Sequence, residues 1–289
     1  MNELAKNIFV ETNYIGVNVG AILTYKGPIA IDVPTFPRDA RDWAMRLHRL
    51  NQYPLQFVVL TDYNGDRTLN TRWLSAPTIT HQQTAVRLNS YDKRYPLAFS
   101  ESLNARYPDR GREFNSTPVE RPAISFGEKL ALFKGNREIC LIAAPGPTAG
   151  NIWVYVPDTA VLFTGDTLVV DTHPLLSDGS CSQWLQSLDL LAHWPDPLAA
   201  IVPGRGPICD QRAIQPIYTF LHQMQERAQQ HWQNQLPREE MAQYIPEFID
   251  QFPLGLLPVD WVKRQIKQSL ERVYDEIKLG YADPALPDS

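Results

Sequence analysis

The chain has 289 residues and a formal net charge of −5, with 44% hydrophobic and 20% charged positions. This is the composition of an ordinary globular protein long enough for a sizeable core, and it argues against a general binder of nucleic acid or anionic membranes. No apolar run approaches the roughly 18 residues of a membrane span and the N-terminus lacks a signal-peptide h-region, so the expected location is cytoplasmic.

In chain order, residues 14–24 and 29–33 flank Tyr25-Lys26-Gly27-Pro28 and predict a β-hairpin. Residues 37–50 carry Trp43, Leu47 and Leu50 at helical spacing. Residues 57–61 form a short apolar run, the pattern of a strand buried on both faces. A helix start is expected over 68–74 and another strand over 77–80. Residues 82–117 are mixed and charged, and read as helix plus loop inserted over one face. Strands resume over 139–143, 152–156 and 161–164, followed by a helix over 184–194 and a last strand over 199–202.

From about residue 211 the strand signal ends. Prolines 237, 246, 253 and 258 break this tail, and Val262, Ile266, Leu270, Val273 and Ile277 form one apolar stripe at steps of three and four. The expectation is an α/β body over 1–210 with a helical extension over 211–289. The plain role for that extension is to cover one side of the body. A sharper role is to roof a pocket or to form a homo-oligomer surface.

The chemistry is expected where the strand over 57–61 runs into Asp62-Tyr63-Asn64-Gly65-Asp66-Arg67, because α/β proteins bind ligands at such strand ends. Three further segments follow in order: Pro145-Gly146-Pro147-Thr148-Ala149-Gly150-Asn151, Phe163-Thr164-Gly165-Asp166 and Val202-Pro203-Gly204-Arg205-Gly206-Pro207. Together with Thr61 these resemble the motifs THxHxDH, PGHTxGN, FTGD and VPGHGP of the metallo-β-lactamase fold, over about residues 8–210. The resemblance implies a four-layer αββα sandwich whose motif histidines hold zinc or iron.

Every one of those histidines is replaced here, by Asp62, Asn64, Arg67, Pro147 and Arg205, while Asp66 and Asp166 remain. Proline has no side-chain donor, and a guanidinium stays protonated and offers no lone pair to a metal. No metal or other cofactor is therefore expected. The arginines are expected to serve as counter-charges to the aspartates, at a degenerate pocket open to a small-molecule or anionic ligand. Asp62, Asn64 and Asp66 alternate like the start of a calcium loop, but Arg67 and Trp73 stand where that loop needs Gly and Glu.

No two of His48, His81, His173, His193, His222 and His231 have HxH or i,i+4 spacing. Cys140, Cys181 and Cys209 form neither a CxxC knuckle nor a disulfide framework, and read as plain thiols. The leading expectation is a pseudoenzyme with a binding or interaction role. The competing one is a hydrolase with a changed metal site on Asp62, Asn64, Asp66 and Asp166. Neither nucleic-acid nor membrane partners are expected.

Overall fold

The computed structural model describes residues 1–110, 113, 117–176 and 178–282. The remaining parts of the expected insertion and tail lie outside the described residues. Two sheets form the centre. The first has seven strands in sequence order: β1 (Asn2–Ala5), β2 (Ile8–Glu11), β3 (Val19–Thr24), β4 (Gly27–Ile31), β5 (Phe57–Val59), β6 (Thr78–His81) and β7 (Ile124–Phe126). The second has five, ordered β12-β11-β10-β9-β8, from β8 (Lys129–Lys134), β9 (Arg137–Ala143), β10 (Ile152–Val156), β11 (Val161–Val169) and β12 (Ala200–Arg205).

Period-two alternation sends successive side chains of these strands into different cores. Ile29, Ile31 and Val59 meet Val154, Phe163 and Val202 between the sheets. Ala30 and Val58 instead face α1 (Pro37–Leu50), with its buried Trp43 and Leu47. Proline at its first turn, with φ already preset, fixes the start of this helix. Trp153, Leu162 and Ile201 face the opposite side, under α5 (Cys181–Ala192), α6 (Ile214–Gln233) and α8 (Val259–Ala282). The four layers are therefore helices, sheet, sheet and helices, as expected.

Several boundaries differ from the sequence reading. The strand expected over 14–24 begins only at Val19. Strands β1, β2, β7 and β8 are additions to that reading; β1, β7 and β8 lie at sheet edges, where one-sided burial leaves a weak apolar signal. The helix expected over 68–74 is α2 (Gly65–Thr68) followed by a 3-10 turn at Thr71–Leu74, so it starts inside the motif itself. The charged insertion holds α3 (Gln82–Ser90) and α4 (Leu97–Arg106).

After β12 the described residues form no named strand, only α6, α7 (Ile245–Ile249), α8 and 3-10 turns. The α8 stripe faces the interior: Val262, Ile266, Leu270 and Val273 are buried against α5, α6 and the second sheet. Among the described residues no helix is long and apolar enough to cross a membrane. Truncating this stripe opens a cavity under the second sheet. Leu270→Ala should cost about 2–5 kcal/mol in denaturant unfolding. Leu279→Ala, on the exposed side of the same helix, should stay within about 0.5 kcal/mol.

Candidate functional site

The parallel pairings β4–β5 and β11–β12 bring four strand ends to one edge of the sandwich. Asp32 follows β4, Thr61 to Arg67 follow β5, Asp166 lies in β11 and Arg205 ends β12. Asp62 accepts hydrogen bonds from Asn64 N (2.7 Å) and Asn64 Nδ2 (2.9 Å). This local Asx turn diverts the chain from strand into α2 and turns Asp66 and Arg67 inward.

Arg67 lies at the centre, with its side chain 0% exposed. Its Nη2 donates to Asp166 Oδ1 (2.6 Å) and its Nη1 to Thr61 Oγ1 (2.7 Å). Thr61 in turn donates to Asp32 through Oγ1 (2.7 Å) and N (2.8 Å). Among the described residues Arg67 Nε has no hydrogen-bond partner, but it lies 3.4 Å from Asp62 Oδ1 and 3.9 Å from Asp66 Oδ1. One guanidinium thus faces four carboxylates from two sheets.

Two more arginines complete the cluster. Arg205 Nη2 donates to Asp66 Oδ2 (2.6 Å) and Asp166 Oδ2 (3.0 Å), and its Nη1 donates to the carbonyl of Gly16. Arg106, at the end of α4, donates to the same Asp66 Oδ2 at 2.7 Å. Two glycines permit this closeness. A Cβ on Gly65 would stand 2.3 Å from the Phe99 ring and push α4 away; one on Gly204 would stand 2.2 Å from Asp166 Oδ1.

The surroundings split the acids into two pairs. Burial pushes Asp66 and Asp166 up, but the arginines outweigh it and hold both below the usual carboxylate range: Arg205, Arg106 and Arg67 for Asp66, and Arg205 and Arg67 for Asp166. For Asp62 burial wins over Arg67, with repulsion from Asp166, Asp32 and Asp66 added, and its pKa rises to about 7. Burial raises Asp32 as well. Three guanidiniums against four carboxylates leave one negative charge in excess, which a proton shared by the two raised acids, Asp32 and Asp62, removes.

The structure gathers the seven motif residues Asp62, Asn64, Asp66, Arg67, Pro147, Asp166 and Arg205. Asn64, Pro147, Asp66, Asp166 and Arg205 line a cavity of about 200 Å³ beside the cluster; Asp62 and Arg67 lie beneath it, fully buried. The sequence reading missed Asp32 and Arg106. Asp32 carried a usable signal, since it ends an apolar strand, Ile29-Ala30-Ile31, beside the motif strand. Arg106 carried none, because it is one of many charges in the insertion. Tail residues Trp261 and Gln265 also line the cavity, so the tail does help to roof a pocket.

These residues do not fit a zinc or iron centre. The space between the carboxylates is filled by the Arg67 guanidinium, and the imidazole positions hold Asp, Asn, Arg, Pro and Arg. Among the described residues no group of three or more His, Cys, Asp or Glu side chains is arranged to hold a metal ion. His81 caps α3 and His173 pairs with the carbonyl of Ile249, each away from the cluster.

A family model described as the metallo-beta-lactamase superfamily matches residues 17–205. A hydroxyacylglutathione hydrolase from Synechococcus sp. (strain JA-3-3Ab) is 36% identical over 103 residues, which is 36% of this chain and 37% of that protein. The match therefore spans well under half of the relative's length. A metallo-beta-lactamase family protein from Thermus thermophilus superposes with a TM-score of 0.65 at 17% identity, covering 95% of both chains. A metallo-beta-lactamase from Pontibacter korlensis does so with a TM-score of 0.62 at 16% identity, covering 76% of this chain and 97% of the other. At such identities these two likenesses concern the fold alone.

Two outcomes are expected from the ionic cluster. Arg205→Ala leaves buried carboxylates uncompensated and should cost about 3–5 kcal/mol at pH 7. Because Asp66 and Asp166 have depressed folded pKa values, their stabilisation is present above the unfolded value of about 3.9 and is lost only as pH falls through the lower folded values. The Arg205→Ala deficit should therefore persist at pH 4 and shrink only below it, in denaturant melts. Asp62 has the opposite sign. Its raised pKa contributes stability that is full below about pH 4 and is lost as pH rises through about 7. Asp62→Asn should flatten that loss in melts between about pH 4 and about pH 8.

Proposed function

The chain belongs to the metallo-beta-lactamase superfamily, and we propose that within it this protein is a pseudoenzyme: a member that has lost its metal site and uses the remaining pocket to bind a ligand. The observation that carries this reading is Arg67, a wholly buried guanidinium at the centre of the family's first motif, facing Asp32, Asp62, Asp66 and Asp166. Without a bound metal nothing generates hydroxide near pH 7, and the family's hydrolytic route is closed. The binding role falls to the 200 Å³ cavity above the cluster. At that volume, below the roughly 300–1,000 Å³ of drug-sized ligand sites, it admits only a very small molecule or one group of a larger ligand. Arg106 and Arg205 offer donors to a polar or anionic group, while Phe99, Leu103 and Trp261 provide an apolar wall.

The competing reading is a hydrolase working through a changed metal site on Asp62, Asn64, Asp66 and Asp166. Its support is the partial similarity to a protein named hydroxyacylglutathione hydrolase. It requires carboxylate oxygens that already accept from Arg67, Arg106 and Arg205. Self-association through the helical tail would use its outer face, because the α8 stripe is buried within the chain. Light scattering on full-length protein measures that directly.

Elemental analysis decides between the two main readings. Protein purified without chelator should carry zinc and iron far below one atom per chain after gel filtration. It should hydrolyse generic β-lactams and thioesters no faster than a blank. Stoichiometric metal retained through the column would overturn the pseudoenzyme reading. Restoring histidine at 67 alone should not recover metal binding, since the other ligand positions remain Asp, Asn, Pro and Arg.

A further inference from the structure

The cavity beside the cluster has an interior and a rim of different character. Inside, Arg106 and Arg205 are already paired with Asp66 and Asp166, so they offer polar donors without a net charge. Phe99, Leu103, Leu175 and Trp261 add apolar surface. At the rim stand Tyr63, Arg87 and Asp178, brought together from the motif loop, α3 and the loop before α5. Arg87 and Asp178 approach only to 3.9 Å, with their side chains 50% and 53% exposed. An exposed ion pair at that separation is weakly held.

Both members of this pair are positioned by other contacts. Arg87 donates through Nε to the Tyr91 hydroxyl at 3.1 Å, and its guanidinium carbon stands 5.8 Å from the ring centroids of Tyr63 and Tyr91. Asp178 accepts from the Tyr63 hydroxyl at Oδ2 (2.8 Å), and its backbone bridges to Thr148 of the second motif segment. Among the described residues the Nη groups of Arg87 make no hydrogen bond and Asp178 Oδ1 accepts none. The rim therefore presents a donor fork and a carboxylate oxygen side by side, each held in place and each with hydrogen-bonding capacity in reserve.

Taking this cavity as the ligand pocket, a reading on which the inference rests, we propose that its ligand is a zwitterionic α-amino acid with an apolar side chain. The carboxylate lies against the Nη groups of Arg87, whose planar fork suits it. The ammonium lies against Asp178 Oδ1, and the side chain enters against Phe99, Leu103 and Trp261. Arg87, Arg106 and Arg205 are balanced in the lining by Asp66, Asp166 and Asp178. A ligand with no net charge keeps that balance, whereas a lone anion or cation leaves one charge unmet. A cavity of roughly 150 Å³ accepts benzene, so the 200 Å³ here takes one aromatic side chain.

Calorimetric titration of the full chain at pH 7 with L-phenylalanine tests the assignment. The controls are 3-phenylpropanoate, which lacks the ammonium, 2-phenylethylamine, which lacks the carboxylate, and L-alanine, which lacks the ring. Phenylalanine should bind at least about tenfold more tightly than each. Arg87→Gln should remove its advantage over 2-phenylethylamine. Asp178→Asn, which keeps an acceptor for Tyr63, should remove its advantage over 3-phenylpropanoate. Both positions are exposed at the rim, where substitutions disturb folding little. Ser102→Trp narrows the cavity from an exposed position on α4 and should abolish binding. The inference is overturned if phenylalanine does not bind, if any control binds as tightly, or if Ser102→Trp binds it undiminished. Metal content of the same preparation is read separately. Retained metal overturns the pseudoenzyme reading, whereas metal-free protein that ignores phenylalanine overturns only the amino-acid assignment.

Discussion

The ion cluster around Arg67 is the constraint on which the rest of this structure depends. A guanidinium taken wholly out of water carries a desolvation cost of several kcal/mol, met only by well-placed opposite charges. Here those charges arrive on separate elements: Asp32 after β4, Asp62 after β5, Asp66 in α2 and Asp166 in β11. The last lies in the second sheet, Asp32 and Asp62 follow strands of the first, and Asp66 stands in the helix after β5. Arg67 therefore ties the two sheets together at the edge where the motif loops converge, its positive charge offsetting carboxylates from both sides.

The same cluster draws in two segments outside the motif loops. Arg106 reaches Asp66 from α4, in the charged insertion, and its guanidinium carbon stands 5.0 Å from the Trp261 ring of α8. The helical tail thus touches the site through an arginine rather than only covering a sheet. Because Arg106 and Arg205 share Asp66 Oδ2, moving either one changes the electrostatic environment of the other.

Acids within one cluster behave in opposite ways because their arginine partners differ. Asp166 accepts from both Arg67 and Arg205, and Asp66 from Arg106 and Arg205. Asp62 accepts from the backbone and side chain of Asn64 and keeps Arg67 only at 3.4 Å. The first two are held ionised and the third is pushed toward its neutral form. Folding stability accordingly has an acidic limit set by Asp66 and Asp166 and an upper limit set by the two raised acids, Asp32 and Asp62.

The sequence by itself determined the layered fold and the location of the site. Buried strands such as Phe57-Val58-Val59 and the α8 stripe are local periodic signals, and the ordered motif segments mark where strands end. It also determined the chemical character of the site, since Pro147, Arg67 and Arg205 exclude themselves as metal ligands by their own chemistry. Only the tertiary structure decided the ion pairing. Asp32 and Asp166 are far apart in the chain, and Arg106 comes from a segment with no periodic signature. Which carboxylate keeps a proton was equally out of reach, because it depends on burial and on distances of a few ångströms between side chains from both sheets. A sequence records which charges exist; their partners are set by the close approach of elements that long-range packing brings together.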